Sequence, residues 1–321
     1  MKKLLFLKLS IIIFGMAAVF LYSYAQKVVY MPHKVSGDVF VQIESGMPLQ
    51  KIAKTLRQKN LINNSYEFIL YVKFNKLYPK FKAGEYIINN DISIVGLSAL
   101  FSEGKAYLRK LTIPEGLTSR EAMEIILNNE YMIDDFTPFK DGEILPETYT
   151  FTRNETRQKL VNRAKEAMNK VLQQAWNEKD ADLPLKNKEE MLILASIVEK
   201  ETGVPSERPQ VASVFINRLR KGMLLQTDPT VIYAITNGEV DLNRSLTRKD
   251  LEIDSPYNTY KYEGLPPTPI CNPGKAAIMA VAHPDKTPYL YFVASGIGGH
   301  NFATTLEEHN QNVRKWKSRA K

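Results

Sequence analysis

The sequence predicts an α+β protein with an N-terminal membrane helix, a small α/β subdomain and a larger mixed α+β domain. Three observations predict it. A lysine cluster at the N-terminus is followed by an uncharged apolar run. Segments with helical spacing then alternate irregularly with short β-rich segments, which is neither a regular βαβ series nor a run of strands. No repeat of about 20–50 residues stands out, so a solenoid is not expected.

The first element is "MKKLLFLKLSIIIFGMAAVFLYSYAQK". Residues 1–8 read as a cytoplasmic stub and 9–29 as the anchor, with the rest of the chain across the membrane. Lys2, Lys3 and Lys8 favour a cytoplasmic N-terminus, although Lys27 and Lys34 weaken the asymmetry. "SYA" before Gln26 offers a small-residue cleavage site. Against cleavage, the run is longer than a signal core, and Tyr22 and Tyr24 suit an interfacial belt. With no cysteine near it, a lipoprotein anchor is excluded.

Residues 38–105 form the subdomain. "DVFVQIE" alternates as a strand does, and Leu49, Ile52, Ala53 and Leu56 recur at helical spacing. "SYEFILYVKFNK" predicts a second helix, "AGEYIIN" a second strand and "SIVGLSALFSEG" a third helix stopped by Gly104. Strand, helix, helix, strand is the coarse pattern of a LysM-like module.

The larger domain takes residues 106–321. It opens with a strand, "LRKLTIPEG", and a helix capped by Thr118 with Glu121 closing a capping box. A long amphipathic helix follows over 154–178, then one over 188–202. Pro205 starts a helix at 206–221, and Asp228-Pro229 caps one at 229–237. After a proline- and tyrosine-rich stretch, Asn272 is expected to cap a further helix. "PYLYFVAS" and "HNFATT" form a hairpin around "GIGG", and a basic helix closes the chain.

The balance of charge is basic, at +8. A basic surface suits nucleic acid, anionic lipid or an anionic polymer. The lysines are scattered, and no nucleic-acid recognition motif is present, so no nucleic-acid partner is expected. The single cysteine, Cys271, excludes an intrachain disulfide and a thiolate metal site. The histidines form no H-x-x-x-H pair and no phosphate loop appears, so no metal or cofactor is implied. Ser196 lacks a nucleophile-elbow motif. His283, His300 and His309 read first as hydrogen-bonded structural histidines.

"ASIVEKET", residues 195–202, places two carboxylates at the end of an apolar helix. At about 100° per residue from Met191, Glu201 falls at about 280°, between Ile197 at about 240° and Leu194 at about 300°. Glu199 falls at about 80°, at the edge of the apolar sector. A carboxylate facing the packed side has its charged form disfavoured and suits a general acid near neutral pH. The other reading is a helix-end glutamate neutralised by Arg208 or Arg218. Both readings stand on periodicity alone.

"ASIVEKET", "ERPQVASVFINRLRKGMLLQTDPTVIYA", "YNTYKYEGLPPTPICNPG", "AVAHPDKTPYLYFVASG" and "GHNFATTLEEHN", in this order, resemble the YceG-like endolytic murein transglycosylases. "ILPETY" at 144–149 fits the same family. The resemblance implies a single-pass protein of the cytoplasmic (inner) membrane facing the wall, with a LysM-like subdomain ahead of its catalytic domain. It implies non-hydrolytic cleavage of nascent peptidoglycan between N-acetylmuramic acid and N-acetylglucosamine, leaving 1,6-anhydro ends. The catalytic glutamate maps to Glu201, with Glu199 in reserve. Tyr149, Gln226, Thr227, Asp228, Asn258, Tyr260, His300 and Asn301 are the candidate substrate contacts, and Glu207 with Arg208 reads as structural charge. Asp228 also reads as a helix cap, and Tyr149 and Tyr260 as core. Expected partners are glycan strands, the membrane and cell-wall synthases or division proteins. The competing functions are a non-catalytic glycan-binding scaffold and a hydrolytic muramidase.

Overall fold

A computed structural model describes residues 2–319. Met1 of the expected stub and the last two residues of the basic tail lie outside the described residues. The chain divides into two compact units, Met1–Arg109 and Lys110–Lys321.

In the first unit, α1 spans Lys2–Tyr30. Its stretch Lys8–Tyr30, 23 residues with none of its best apolar window buried, is long and apolar enough to cross a membrane. At about 1.5 Å per residue it reaches about 35 Å, against a hydrocarbon core of about 30 Å. Then come β1 (Val39–Ile43), α2 (Leu49–Gln58), α3 (Ser65–Phe74), β2 (Gly84–Ile88) and α4 (Ile94–Glu103). β1 and β2 pair antiparallel, with Val41 opposite Tyr86. The strand, helix, helix, strand order expected from the sequence is present. Ile52, Leu56, Phe68, Tyr86 and Phe101 are sealed in one core. Gly104 ends α4 at φ 72, a left-handed cap that only glycine adopts cheaply. Arg109 grips the buried Glu85 through two hydrogen bonds of 2.8 and 3.0 Å.

The unit boundary falls inside β3 (Arg109–Thr112), which pairs with β5 (Thr148–Phe151). Between them lie α5 (Ser119–Leu127) and β4 (Met132–Ile133), the latter parallel to β6 (Glu155–Thr156). The Thr118–Glu121 capping box forms, each side chain bonding the other residue's backbone N–H. Next are α6 (Arg157–Glu178), α7 (Lys188–Glu201), α8 (Arg208–Arg220), α9 (Asp228–Thr236) and α10 (Lys275–Ala282). β7 (Tyr291–Ala294) and β8 (His300–Ala303) make the terminal hairpin before α11 (Leu306–Arg319).

α7 is the axis of this unit. Seven of its residues from Met191 to Val198 are buried, because α6, α8, α9 and α10 all pack on it. A helix apolar nearly all round belongs at the centre of a core. Even Ser196 is internal: its hydroxyl donates to Ile193 O at 2.7 Å and accepts from Ile270 N–H at 3.0 Å.

Three local expectations are corrected. The helix placed at 206–221 begins as a 3₁₀ turn, Pro205–Glu207, and becomes α8 only at Arg208. Asp228 lies inside α9 and Thr227 takes the cap position, so Asp228's side chain is released for other work. Asn272 caps nothing, since Gly274 holds the cap of α10. The fully buried Asn272 amide instead joins two distant loops, accepting from Gly142 N–H and donating to Leu117 O, both at 3.0 Å.

Candidate active site

The burial that makes α7 central also carries its last turn to the wall of a cavity. Glu201 is its final helical residue, and Thr202, extended and 2% exposed, turns the chain away. The cavity is about 450 Å³ and is lined by Glu201, Arg218, Gln226, Asp228, Tyr260 and His300, with an apolar side that includes Phe215 and Phe292.

Glu201 and Glu199, two residues apart, point to opposite duties. Glu199 is 5% exposed and is consumed by structure: Arg208 pairs with it at 3.0 Å, and Gly274 N–H donates to it at 2.9 Å. Arg208 therefore neutralises Glu199 and is not the partner of Glu201. Glu201 accepts one hydrogen bond, from the Thr227 hydroxyl. Burial above all, and then the neighbouring Asp228 charge, push its carboxyl upward. The Thr227 bond, His300 and Arg218 pull it back toward the ionised form. The net result is a carboxyl at about 7, roughly half protonated near neutral pH, the condition for donating a proton to a leaving group.

Thr227 is itself held in place. It is 1% exposed, its N–H donates to Thr259 Oγ1 at 3.1 Å, and Thr259 shares a 2.8 Å hydroxyl bond with Thr230. Gln226 turns the chain into α9 at φ 50, with its N–H on Thr259 O at 3.0 Å. Replacing the Thr227 hydroxyl by a methyl group removes a donor to the charged form of Glu201. Thr227→Val is expected to move the Glu201 titration upward from about 7, as read by carbon NMR of the labelled carboxyl.

Arg218 brings a cation to the cavity. It is 7% exposed and donates to the carbonyls of Leu290, Leu225 and Leu224 at 2.7, 2.9 and 3.1 Å. It lies over the Tyr291 ring, and His309 stacks on the same ring. The Tyr260 hydroxyl donates to Asp228 Oδ1 at 2.6 Å, so the released Asp228 side chain fixes an aromatic at the mouth. His300 completes the wall. Its N–H and Nδ1 both reach Glu207, at 2.9 and 2.7 Å. Burial alone would raise the Glu207 carboxyl, but these bonds hold it below the usual carboxylate range.

The cavity thus gathers Glu201, Gln226, Asp228, Tyr260 and His300 from the sequence candidates, with Thr227 immediately behind. Three others are placed elsewhere. Tyr149 is buried in a separate core and its hydroxyl donates to Leu145 O at 2.6 Å. Asn258 is fully buried, donating to Leu251 O and Ile253 O and accepting from Tyr260 N–H, so it shapes the loop that carries Tyr260. Asn301 follows His300 along β8, where alternate side chains turn to the other face. Reading Glu207 as structural charge missed its bond to His300. Arg218 entered the sequence argument only as a neutraliser, and His309 only as a structural histidine. His283 pairs with Asp180 at 3.0 Å, away from the cavity.

Comparison with known proteins fits this geometry. The YceG-like family model matches residues 41–315. An endolytic murein transglycosylase of Bacillus subtilis (strain 168) is 34% identical over 311 residues, covering 87% of this chain and 84% of the relative. One from Streptococcus pneumoniae serotype 2 is 31% identical over 323 residues, covering 86% of this chain, which spans only 58% of that longer relative. A crystal structure of a yceG-like protein from Listeria monocytogenes is 32% identical, with a TM-score of 0.52, covering 86% of this chain and 99% of that one. With the family model matching most of its length, and a relative above 30% identity spanned over most of both chains, this chain belongs to the YceG-like family.

Proposed function

We propose that this chain is an endolytic murein transglycosylase that cuts peptidoglycan glycan between N-acetylmuramic acid and N-acetylglucosamine, leaving 1,6-anhydro-N-acetylmuramic acid ends. The observation that carries the reading is Glu201, a carboxyl raised to about 7 on the wall of a cavity. Protonated Glu201 gives its proton to the glycosidic oxygen as the bond to C1 breaks. The muramic acid C6 hydroxyl attacks C1 from within the same sugar and gives up its own proton to a base in the cavity. Glu201, by then a carboxylate, is able to serve. Because the nucleophile belongs to the substrate, the attack gains from proximity and needs no carboxylate-activated water.

α1 acts as a single-pass anchor in the cytoplasmic membrane, with both folded units on the wall side and the first unit working as a LysM-like glycan contact. Cutting nascent strands at the membrane would end their polymerisation. A non-catalytic scaffold has no use for a carboxyl held protonated in a cavity.

A second reading has one observation in its favour. Asp228 places another carboxylate in the same cavity, and an inverting hydrolase uses such a partner, about 6.5–9.5 Å away, to activate water. Product mass separates the two. Incubating the protein with uncrosslinked glycan is expected to give ends one water lighter than hydrolysis gives. Reducing ends alone would show a hydrolase.

A further inference from the structure

The reaction proposed above needs a base for the proton of the attacking C6 hydroxyl, and Glu201 is not the only candidate on the cavity wall. Another part of that wall is built by two residues that lie 93 positions apart. Glu207 sits in the 3₁₀ turn before α8, and His300 opens β8. One Glu207 oxygen accepts the His300 backbone N–H and the other meets Nδ1. A carboxylate against Nδ1 fixes the tautomer that carries its hydrogen there, which leaves Nε2 with a lone pair. The ring is also wedged edge-on against Phe292, with centroids 5.3 Å apart at 88°. Nε2 makes no hydrogen bond among the described residues, and the residue lines the cavity shared with Glu201.

The chain makes room for this contact. Gly299 has φ 73, and a Cβ on it would collide with Glu207 Oε1. A side chain at 299 would be strained and would also push the carboxylate off the histidine. The "GGH" of the hairpin and the glutamate before α8 are therefore one device.

We infer that His300 is the base that takes the C6 hydroxyl proton, and that Glu207 is the positioning residue that aims it. This rests on the transglycosylase reading and deepens it. As O6 bonds to C1, its hydrogen passes to Nε2. The C1–O bond to the leaving sugar breaks, and that oxygen receives the Glu201 proton. The imidazolium left beside Glu207 returns its proton to the Glu201 carboxylate, directly or through water, which restores both groups.

The charged and titratable groups around the ring are Glu201 from α7, Glu207 from the turn before α8, Arg218 from α8, Asp228 from α9, Tyr260, Tyr291 from β7 and His309 from α11. The test is the pH profile of anhydro-end formation by the full chain. Wild type should show an ascending limb that needs neutral His300 and a descending limb that needs protonated Glu201. His300→Asn should lose the ascending limb and about 10²-fold in kcat, within the usual range for a general base. Glu207→Gln keeps the hydrogen-bond acceptor but removes the anion. It should lower kcat about tenfold with KM unchanged. The double variant should be no slower than His300→Asn. Nitrogen NMR of the labelled imidazole supplies a readout free of turnover: Nδ1 should be the protonated nitrogen in wild type, and Glu207→Ala should mix the tautomers. If His300→Asn keeps its rate and its ascending limb while wild type makes anhydro ends, this inference fails alone. If wild type makes only reducing ends, the transglycosylase reading fails and takes this one with it.

Discussion

Glu201→Gln should abolish cleavage while leaving the fold intact and more stable at high pH. The amide keeps the size of the acid and its bond to the Thr227 hydroxyl but has no proton to give. Losing a general acid costs about 10²–10⁴-fold in rate, and the glycosidic oxygen of a sugar is a poor leaving group, so the upper end is expected. Chromatography and mass spectrometry of the glycan should find no anhydro ends, while glycan still co-sediments with the variant. The stability change has the opposite sign. A carboxyl that titrates at about 7 when folded and 4.5 when free costs the folded state nothing well below 4.5, and progressively more as pH rises from there to 7. At pH 8 the ionised acid should weaken the folded state by on the order of 3 kcal/mol. Glu201→Gln escapes this, so its melting temperature should exceed that of wild type at pH 8 and match it near pH 4.

Glu199→Ala should do the reverse, unfolding the protein more readily without touching the chemistry directly. Its carboxylate and the Arg208 guanidinium are 5% and 11% exposed. Removing one partner of a buried pair strands the other, at about 3–5 kcal/mol. Glu115, 3.4 Å from Arg208, offsets part of that. The Gly274 N–H at the start of α10 also loses its acceptor. Denaturant midpoints should fall accordingly, while the fraction that remains folded keeps a turnover number close to wild type. A loss of turnover as large as that of Glu201→Gln, with stability unchanged, would reverse the roles given to the two glutamates.

Helical angle is a local property and separated the two acids before any coordinates, but it placed Glu199 only at the edge of the packed sector, where the structure buries its side chain against Arg208. Residues 199 and 201 differ by about 200° around the axis, and α7 keeps regular geometry to its last residue. The Thr118 capping box and the hairpin around residues 296–299 were equally local. Misplacements came where long-range contacts override local preference. Asn272 has the chemistry of a cap, yet its amide is more useful 130 residues away at Gly142. Tyr149 and Asn258 have groups that suit sugars, and residue type cannot tell a groove wall from a core. Glu207 was hidden for the same reason: no sequence spacing announces a contact to a histidine 93 positions later.

Cys271 adds a practical consequence. It is the only cysteine, it is fully buried, and its thiol rests on Ser196 O inside the core around α7. Burial raises that thiol well above its ordinary value, so in the native state it is both sealed and un-ionised, and an alkylating reagent should find nothing to attack. Modification therefore has to wait until the centre of the domain opens. The unaltered protein carries its own unfolding clock, and the rate at which a maleimide dye attaches would time how often that core comes apart.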